Sequence, residues 1–339
     1  MCGCGNKAVT QSASAIAQAD TSRTICPDYA EVTPKYVFMY AENQPADYPT
    51  SLGAFRFAYL VHERSEGKIQ IRVYTDSELG DETDLYRELQ YGGVDFMRAS
   101  LTGLTQFDEE ANVLVMPYLY ESSEHMWKVL DGEIGQEIMD SFEGTGMVPL
   151  SWYDAGVRNF YMREEASTLE DFAGKSIRIQ DSAMMKDVIT LLGAQYVVLE
   201  YDEVFSALQL GRVDGAENNY SSYESMGHNE VAPYYIEDEH TRIPELQLVS
   251  QATYDRLSDE EKEIIRECAK ESALYERQLW AEREEFSKNA ILQEGGTIVK
   301  LTDEERAKFQ EAVQPVYELY VGNYMDLIER IRAEAQETD

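Results

Sequence analysis

The sequence predicts an α/β protein with two lobes, because strand-like and helix-like segments alternate twice along the chain before a long helical segment begins. The β-α-β order within each half is typical of an open, mostly parallel sheet with helices on its faces. The chain has 339 residues, which suits one large or two medium-sized domains, and 43% of them are hydrophobic, enough for a sizeable core.

The first half follows a polar segment that ends near residue 34. Short apolar or alternating runs predict its strands, and Thr50 or Ser51 can cap its first helix. In chain order we expect a strand over 36–40, a helix from about residue 50, a strand over 68–74, a helix over 79–89 and a strand over 94–97.

The second half repeats this alternation, and Gly193 and Gly211 mark the ends of its helices. In chain order we expect strands over 148–153, 159–161 and 176–179, a helix over 184–192, a strand over 196–199 and a helix over 201–210.

A long helix is predicted from Ser258. Glu261 follows three positions later, as in a capping box, and helical periodicity continues to about Asn289. A helix of about 30 residues is about 45 Å long, which is enough to run along both lobes. Thr302 begins a further helix by the same capping signal.

The chain is strongly acidic, with a formal net charge of −35 from 29 basic and 64 acidic residues. Phosphate recognition needs clustered lysine and arginine, so this charge argues against a nucleic-acid partner and against docking on anionic lipid head groups. Most of these acids serve solubility. Because the overall charge repels an anionic ligand, the site of such a ligand needs local arginine residues.

The N-terminal segment 1–34 resembles the start of a mature bacterial lipoprotein, in which a lipid-carrying cysteine precedes a small, polar tether. We therefore expect a lipid anchor on Cys2. The alternative is that Cys2 and Cys4 form a metal or redox pair, for which only Cys26 and Cys268 remain as partners. No run of about 20 apolar residues occurs, so we expect no transmembrane helix.

The sequence lacks the signatures of common catalytic and cofactor sites. Its four histidines are scattered without the spacing of a zinc hydrolase, and it has no nucleophile elbow, phosphate-binding loop or dinucleotide-binding glycine pattern. We therefore expect no catalytic residue, no metal and no cofactor. A glycosidase-type carboxylate pair that involves Glu217 stays open, because carboxylates are abundant throughout the chain.

Two arginines and one polar segment are candidates for ligand binding. Arg178 lies between Ile177 and Ile179 on a predicted strand, so its side chain faces the opposite side, where a strand end can line a crevice. Arg158 precedes an aromatic strand. An arginine fork matches a carboxylate, and the amides and phenol of residues 214–220 suit a polyhydroxylated ligand. The alternatives are ion-paired surface arginines and an asparagine-rich turn.

Five segments, in order, resemble the solute-binding proteins of TRAP (tripartite ATP-independent periplasmic) transporters. They are residues 42–49, 77–81, 112–120, 174–178 and 201–218, and the similarity covers roughly residues 36–335. The resemblance implies a periplasmic-binding-protein-like fold, in which hinge strands and a long helix join two lobes that close on the ligand. It places one lobe at 35–156 plus 244–283 and the other at 157–243 plus 284–339.

The resemblance also implies which residues hold the ligand. Arg178 would grip a carboxylate in a fork, with help from Arg158 and Asn218. Segments 153–158 and 215–223 are most similar to the subgroup that binds hexuronates such as D-glucuronate or D-galacturonate.

In that subgroup an arginine also stands at the position of Arg98, next to Ser100. Asn219 and Gln180 replace prolines of the common family pattern, so both amides can point at sugar hydroxyls, and Tyr48 replaces a histidine. The expected hydroxyl contacts are Glu42, Gln180, Glu217, Asn218 and Asn219, and the rings of Tyr48 and Tyr153 are expected to cover a sugar face.

The function implied by the resemblance is capture without chemistry. The protein would bind a sugar acid at the extracellular face of the membrane or in the periplasm and deliver it to membrane permease subunits. The alternatives are another organic acid, such as a dicarboxylate or a sialic acid, a uronide-active extracellular enzyme that uses Glu217, and a sensing lipoprotein.

Overall fold

The computed structural model describes residues 23–335, which form two β-sheets with helices packed on them. Each sheet with its helices forms one lobe, which confirms the predicted two-lobed α/β fold. Cys2, the predicted site of lipid attachment, lies outside the described residues, as does Cys4.

The described residues contain eleven strands, and most of them coincide with apolar or alternating runs of the sequence. They are β1 (Tyr36–Ala41), β2 (Ile69–Tyr74), β3 (Phe96–Ser100), β4 (Met147–Tyr153), β5 (Val157–Met162), β6 (Ser176–Ile179), β7 (Gln195–Val198), β8 (Gly215–Asn218), β9 (Tyr234–Arg242), β10 (Glu245–Ser250) and β11 (Thr297–Lys300).

The two sheets are mostly parallel. The first has the strand order β2-β1-β3-β10-β4, and the second has the order β11-β9-β5-β8-β6-β7. Strand β10 runs antiparallel to both of its neighbours in the first sheet, and β5 does so in the second. The other pairings of these strands are parallel, as the alternation of strands and helices predicts.

The chain passes from one sheet to the other at residues 154–156, between β4 and β5, and returns at residues 243–244, between β9 and β10. These two crossings connect the lobes. Gly156 has a φ of +63° in the first crossing, a left-handed conformation that favours glycine.

Fourteen α-helices lie among the described residues. They are α1 (Pro49–Arg64), α2 (Glu82–Tyr91), α3 (Leu101–Leu104), α4 (Ser123–Leu130), α5 (Glu133–Ser141), α6 (Ala183–Leu191), α7 (Val204–Gln209), α8 (Tyr220–Ser225), α9 (His228–Val231), α10 (Gln251–Tyr254), α11 (Asp259–Gln293), α12 (Asp303–Val313), α13 (Pro315–Val321) and α14 (Met325–Glu334).

Helix α11 is the predicted lobe-spanning helix. Its N-terminus has the predicted capping box, in which the hydroxyl of Ser258 accepts from the Glu261 amide and the Glu261 carboxylate accepts from the Ser258 amide. Its 35 residues span about 52 Å. It packs on α1 and β4 of the first lobe and on α8 and β11 of the second. No helix among residues 23–335 is both long and apolar enough to cross a membrane.

Both ends of the described chain differ from the sequence-based boundaries. The chain already packs on α1 within the expected tether 1–34, because Cys26 is buried and its amide donates to Nδ1 of His62 at 3.2 Å. At the other end, α12 packs on α6 of the second lobe, whereas α14 packs on α4 of the first. The C-terminal helices therefore contact both lobes, although 284–339 was expected to belong to the second.

Helices α1 and α11 approach closely at Gly53. A Cβ atom there would lie 2.9 Å from the hydroxyl oxygen of Tyr153 and 3.0 Å from Cβ of Glu276. Glycine at this position therefore lets α11 lie directly against the first lobe beside the hinge.

We expect Gly53→Ala to lower the free energy of unfolding by about 1–3 kcal/mol, because an added methyl group overpacks this contact. This loss would occur even though alanine is the better helix former by about 1 kcal/mol. Urea denaturation measures the change. Gly322→Ala is the control, because a Cβ there would meet no atom within 4 Å, and it should change stability by less than about 0.5 kcal/mol. A stabilised Gly53→Ala protein would contradict the close contact.

Candidate ligand-binding site

A cleft lined mostly by polar side chains lies between the two lobes. Trp280 of α11 also contributes to it. The lining residues from the first lobe include Asn43, Gln44, Tyr48, Asp81, Glu82, Thr83, Arg98, Gln106 and Glu245, and those from the second include Arg158, Arg178, Gln180, Leu199, Glu200, Tyr201, Asp202, Asn218, Asn219 and Ser222.

Strand β6 carries Arg178 into the cleft. Its neighbours Ile177 and Ile179 are buried in the lobe, so the alternation of a strand directs Arg178 to the other side. Its guanidinium donates from Nε and Nη2 to the carbonyl oxygen of Leu199, at 2.9 and 2.7 Å. Leu199 directly follows β7, so the end of β7 holds the side chain of Arg178 on the neighbouring strand β6.

Arg178 is a buried cation without a carboxylate partner among residues 23–335. Its exposure is 2%, and no carboxylate oxygen of the described residues lies within 4.0 Å of its guanidinium. Burial lowers the pKa of Arg178, and the charge of Arg158 lowers it further. A guanidinium has five N–H donors, so Nη1 and one hydrogen of Nη2 remain for a ligand.

Arg158, by contrast, is almost fully paired within the protein. Its Nη2 donates to Oε1 and to the backbone oxygen of Glu217, both at 2.8 Å, and its Nε pairs with the same carboxylate. Its Nη1 donates to Oδ1 of Asn218 at 3.0 Å. One hydrogen of Nη1 is left for a ligand.

Glu217 lies behind Arg158 and does not line the cleft. Oε2 of Glu217 is also 3.5 Å from Nε2 of His240. Burial by itself raises the pKa of Glu217, but the charge of Arg158 and the contact with His240 outweigh it and lower the pKa to about 2. Glu217 therefore stays ionised at neutral pH, whereas a general acid must carry a proton.

The imidazole of His240 bridges two carboxylates. Its Nδ1 is 3.0 Å from Oδ2 of Asp238, and its Nε2 faces Glu217. Burial lowers the pKa of His240, but the charge and hydrogen bond of Asp238, followed by those of Glu217, raise it to about 9. In the imidazolium form the ring is positively charged and lies between the two carboxylates, so Asp238, His240, Glu217 and Arg158 form a buried chain of alternating charge.

Arg98 organises the opposite wall of the cleft. Its five N–H donors are all used: Nε and Nη2 pair with Glu42, Nη2 also pairs with Asn43, and Nη1 lies 3.3 Å from both Glu82 and Glu245. Burial raises the pKa of Glu245 to about 8; the charge of Arg98 opposes this shift, and the charges of Glu82 and Glu42 add to it. This wall therefore presents carboxyl groups to a ligand rather than free arginine donors.

Direct hydrogen bonds join the two lobes around the cleft. The hydroxyl of Tyr48 is 2.9 Å from that of Ser222, and the hydroxyl of Tyr201 donates to Gln44 at 3.3 Å. The ring of Trp280 packs edge-on against Tyr48 at the inner end. These contacts hold the lobes together over the charged walls.

The structure separates the predicted site residues into two groups. Those that line the cleft are Arg178, Arg158, Asn218, Asn219, Gln180, Tyr48 and Arg98. Those that do not line it are Glu217, Glu42, Ser100 and Tyr153. Glu42 holds Arg98, the Ser100 amide donates to Glu82 at 2.7 Å, and the Tyr153 hydroxyl accepts from Gln247 at 3.2 Å.

Sequence reasoning did not single out Glu82, Glu245, Tyr201 or Trp280, all of which line the cleft. The two glutamates were hidden by the abundance of acids in the chain. Trp280 lies within a long helical pattern, where an aromatic residue is usually part of the core. Tyr201 at the start of a predicted helix carried no signal of its own.

Residues 40–323 match the family described as bacterial extracellular solute-binding protein, family 7. The chain belongs to this family. Its members are the solute-binding proteins of TRAP transporters, located in the periplasm or outside the cell, and they are not enzymes. Membership therefore rules out the uronide-active enzyme.

Solved structures of TRAP periplasmic solute-binding proteins share this fold. One from Xanthobacter autotrophicus Py2 with bound β-D-galacturonate is 37% identical, with a TM-score of 0.85 over 87% of this chain and 99% of that chain. One from Roseobacter denitrificans with bound β-D-glucuronate is 35% identical, with a TM-score of 0.85 over 88% and 99%. One from Sulfurospirillum deleyianum DSM 6946 with bound succinate is 29% identical, with a TM-score of 0.83 over 89% and 99%.

We expect His240→Gln to lower the free energy of unfolding more at about pH 6 than at about pH 9.5. The folded-state pKa of about 9 lies above the ordinary value of 6.5, so the charged ring stabilises the fold fully below pH 6.5. That stabilisation is lost as the pH rises through 9. Breaking a buried ion pair costs about 3–5 kcal/mol, which urea denaturation at both pH values would resolve. An equal loss at both pH values would contradict a charged His240.

Proposed function

We propose that this family member captures a hexuronate, either D-glucuronate or D-galacturonate, and delivers it to the membrane permease subunits of a TRAP transporter. The observation that carries this proposal is the opposed chemistry of the two cleft walls. One wall holds the unpaired guanidinium of Arg178, and the other holds the carboxyl groups of Glu82 and Glu245 around a saturated Arg98.

The wall of the second lobe suits a carboxylate. Arg178 offers hydrogens on both Nη1 and Nη2, which matches the two oxygens of a carboxylate. Arg158 has one hydrogen of Nη1 left, and the ionised Glu217 behind it fixes its direction. The amides of Asn218, Asn219 and Gln180 line the same wall and can bond to the ring hydroxyls.

The wall of the first lobe suits hydroxyl groups. Carboxylate oxygens accept from hydroxyls, whereas a second carboxylate of the ligand would be repelled by Glu82 and its neighbours. A monocarboxylate with several hydroxyls therefore fits better than a dicarboxylate such as succinate. The galacturonate and glucuronate bound by two of the similar proteins have this composition.

Closure of the lobes completes the site. The crossings at residues 154–156 and 243–244 provide the hinge, and the contacts of Tyr48 and Tyr201 join the lobes around the ligand. Exclusion of water strengthens the charged hydrogen bonds of Arg178, because the effective dielectric constant falls. Tyr48 lines the cleft, so its ring can cover a sugar face, whereas Tyr153 is buried and does not line the cleft.

We further propose that a lipid on Cys2 holds the protein at the extracellular face of the membrane. Residues 1–22 would then connect the anchor to the first lobe, on which the chain is packed from residue 23 onward. Radiolabelled fatty acid should be incorporated into the native lipoprotein and not into a Cys2→Ala variant.

Isothermal titration calorimetry tests the ligand. We expect D-glucuronate or D-galacturonate to bind, and glucose and succinate to bind far more weakly. Glucose lacks the carboxylate, and succinate lacks the hydroxyl groups. Binding of succinate with equal or greater affinity would replace the hexuronate with a dicarboxylate. Absence of binding by every acid would overturn the proposed function.

The variant Arg178→Lys isolates the role of the guanidinium. Losing charge-assisted hydrogen bonds of about 1.5–3 kcal/mol should weaken hexuronate binding by roughly ten- to hundredfold while glucose stays a poor ligand. Arg163→Lys is the matched control, since Arg163 is exposed just beyond β5 and does not line the cleft. Unchanged affinity in Arg178→Lys would contradict the assignment of the carboxylate to Arg178.

A further inference from the structure

Acidic side chains from both lobes line the part of the cleft that is open to solvent, here called its mouth: Asp81 is half-buried and Asp202 is exposed. The first lobe contributes Asp81, which precedes α2, and the second contributes Asp202, which follows β7. Both line the cleft. Beside them, Thr83 donates to Glu200 at 3.0 Å, so the two lobes are in direct contact here.

The carboxylates of Asp81 and Asp202 make no hydrogen bond or ion pair with any of residues 23–335. They do interact electrostatically with each other. Burial raises the pKa of Asp81, and the largest charge contribution after burial comes from Asp202 across the mouth. Asp84 on the same side and Glu203 on the other side raise it further.

The charged groups around this pair do not offset it. Glu82 lies next to Asp81, and Glu200 lies close enough for Asp81 to raise the pKa of Glu200 as well. Arg178 lowers the pKa of Glu200 from inside the cleft, and it is the group expected to bind the ligand. Closing the mouth therefore brings together carboxylates of like charge in a chain whose net charge is −35.

We propose that Asp81 and Asp202 form a repulsive pair across the mouth, which opposes closure and makes hexuronate capture stronger as ionic strength rises. This inference rests on the proposed function for its ligand, although the repulsion itself does not. A bare arginine–carboxylate contact behaves in the opposite way, because salt weakens it. The sign of the change in Kd with salt therefore shows whether the repulsive pair or the arginine–carboxylate contact dominates.

The two carboxylates line the cleft that would hold the ligand, so their charge also acts on the bound ligand. A hexuronate carries one negative charge and a dicarboxylate carries two, so the mouth penalises the dicarboxylate more at low ionic strength. The pair therefore adds to the selectivity of the inner wall, and salt should reduce this part of the selectivity.

The test measures the hexuronate Kd by titration calorimetry at about 10 mM and about 1 M NaCl, where the Debye length is about 30 Å and about 3 Å. The native protein should bind about two- to fivefold more tightly at high salt, the range expected for exposed charge pairs. The double variant Asp81→Asn, Asp202→Asn should bind more tightly than the native protein at low salt, and its Kd should rise with salt, because the arginine–carboxylate contact then sets the salt dependence.

The matched control is Glu304→Gln, Glu329→Gln, which removes the same two charges from exposed positions on α12 and α14 that do not line the cleft. It should keep the salt dependence of the native protein. A native Kd that rises with salt would overturn the proposal. So would a control whose Kd rises with salt as that of the mouth variant does, because the net charge would then be the cause.

A second measurement needs no ligand and separates this inference from the proposed function. Small-angle scattering of the ligand-free native protein should give a radius of gyration that falls as salt rises, whereas the mouth variant should be compact at both salt concentrations. If no acid binds under any condition, the proposed function fails, and the scattering alone decides the repulsive pair. A radius of gyration independent of salt in the native protein would overturn it.

Discussion

The site depends on the incomplete pairing of the Arg178 guanidinium, which has no carboxylate partner among residues 23–335. Removing a guanidinium from water costs several kcal/mol, and the described protein offers it only the carbonyl oxygen of Leu199 in return. A ligand carboxylate supplies the missing negative charge. The fold has already removed Arg178 from water by placing it between two buried isoleucines of β6. An anion that enters the cleft therefore gains the attraction of Arg178 without that desolvation cost.

The other two cleft arginines differ from Arg178 in how far the protein satisfies them. Arg158 is held by Glu217, which is held in turn by His240 and Asp238, so its direction is fixed before a ligand arrives. Arg98 is surrounded by carboxyl groups and serves to hold them together in the wall. Three residues of one type thus give a donor, a supporting donor and the centre of an acceptor surface, which together suit the two ends of the proposed sugar acid.

The sequence predicted the fold well because its signals are local. The alternation of strands and helices and the capping box at Ser258 depend only on neighbouring residues, and both appear in the structure. Within the site, Arg178 was identifiable because a charge between two isoleucines is unusual. Glu217 and Glu42 were expected to contact the ligand, but they lie behind the cleft walls. Each pairs there with an arginine that is distant in sequence. Glu82 and Trp280 could not be found at all, because only tertiary packing brings one acid among 64, or one helical aromatic residue, to the cleft.

A crystal structure of the protein with D-glucuronate tests the central claim most directly. It should show the ligand carboxylate within hydrogen-bonding distance of Nη1 and Nη2 of Arg178, with ring hydroxyls directed toward Glu82 and Glu245. A ligand in the reverse orientation, with its carboxylate at Arg98 and its hydroxyls at Arg178, would contradict the account, because the incomplete pairing of Arg178 would then not be what selects the anion.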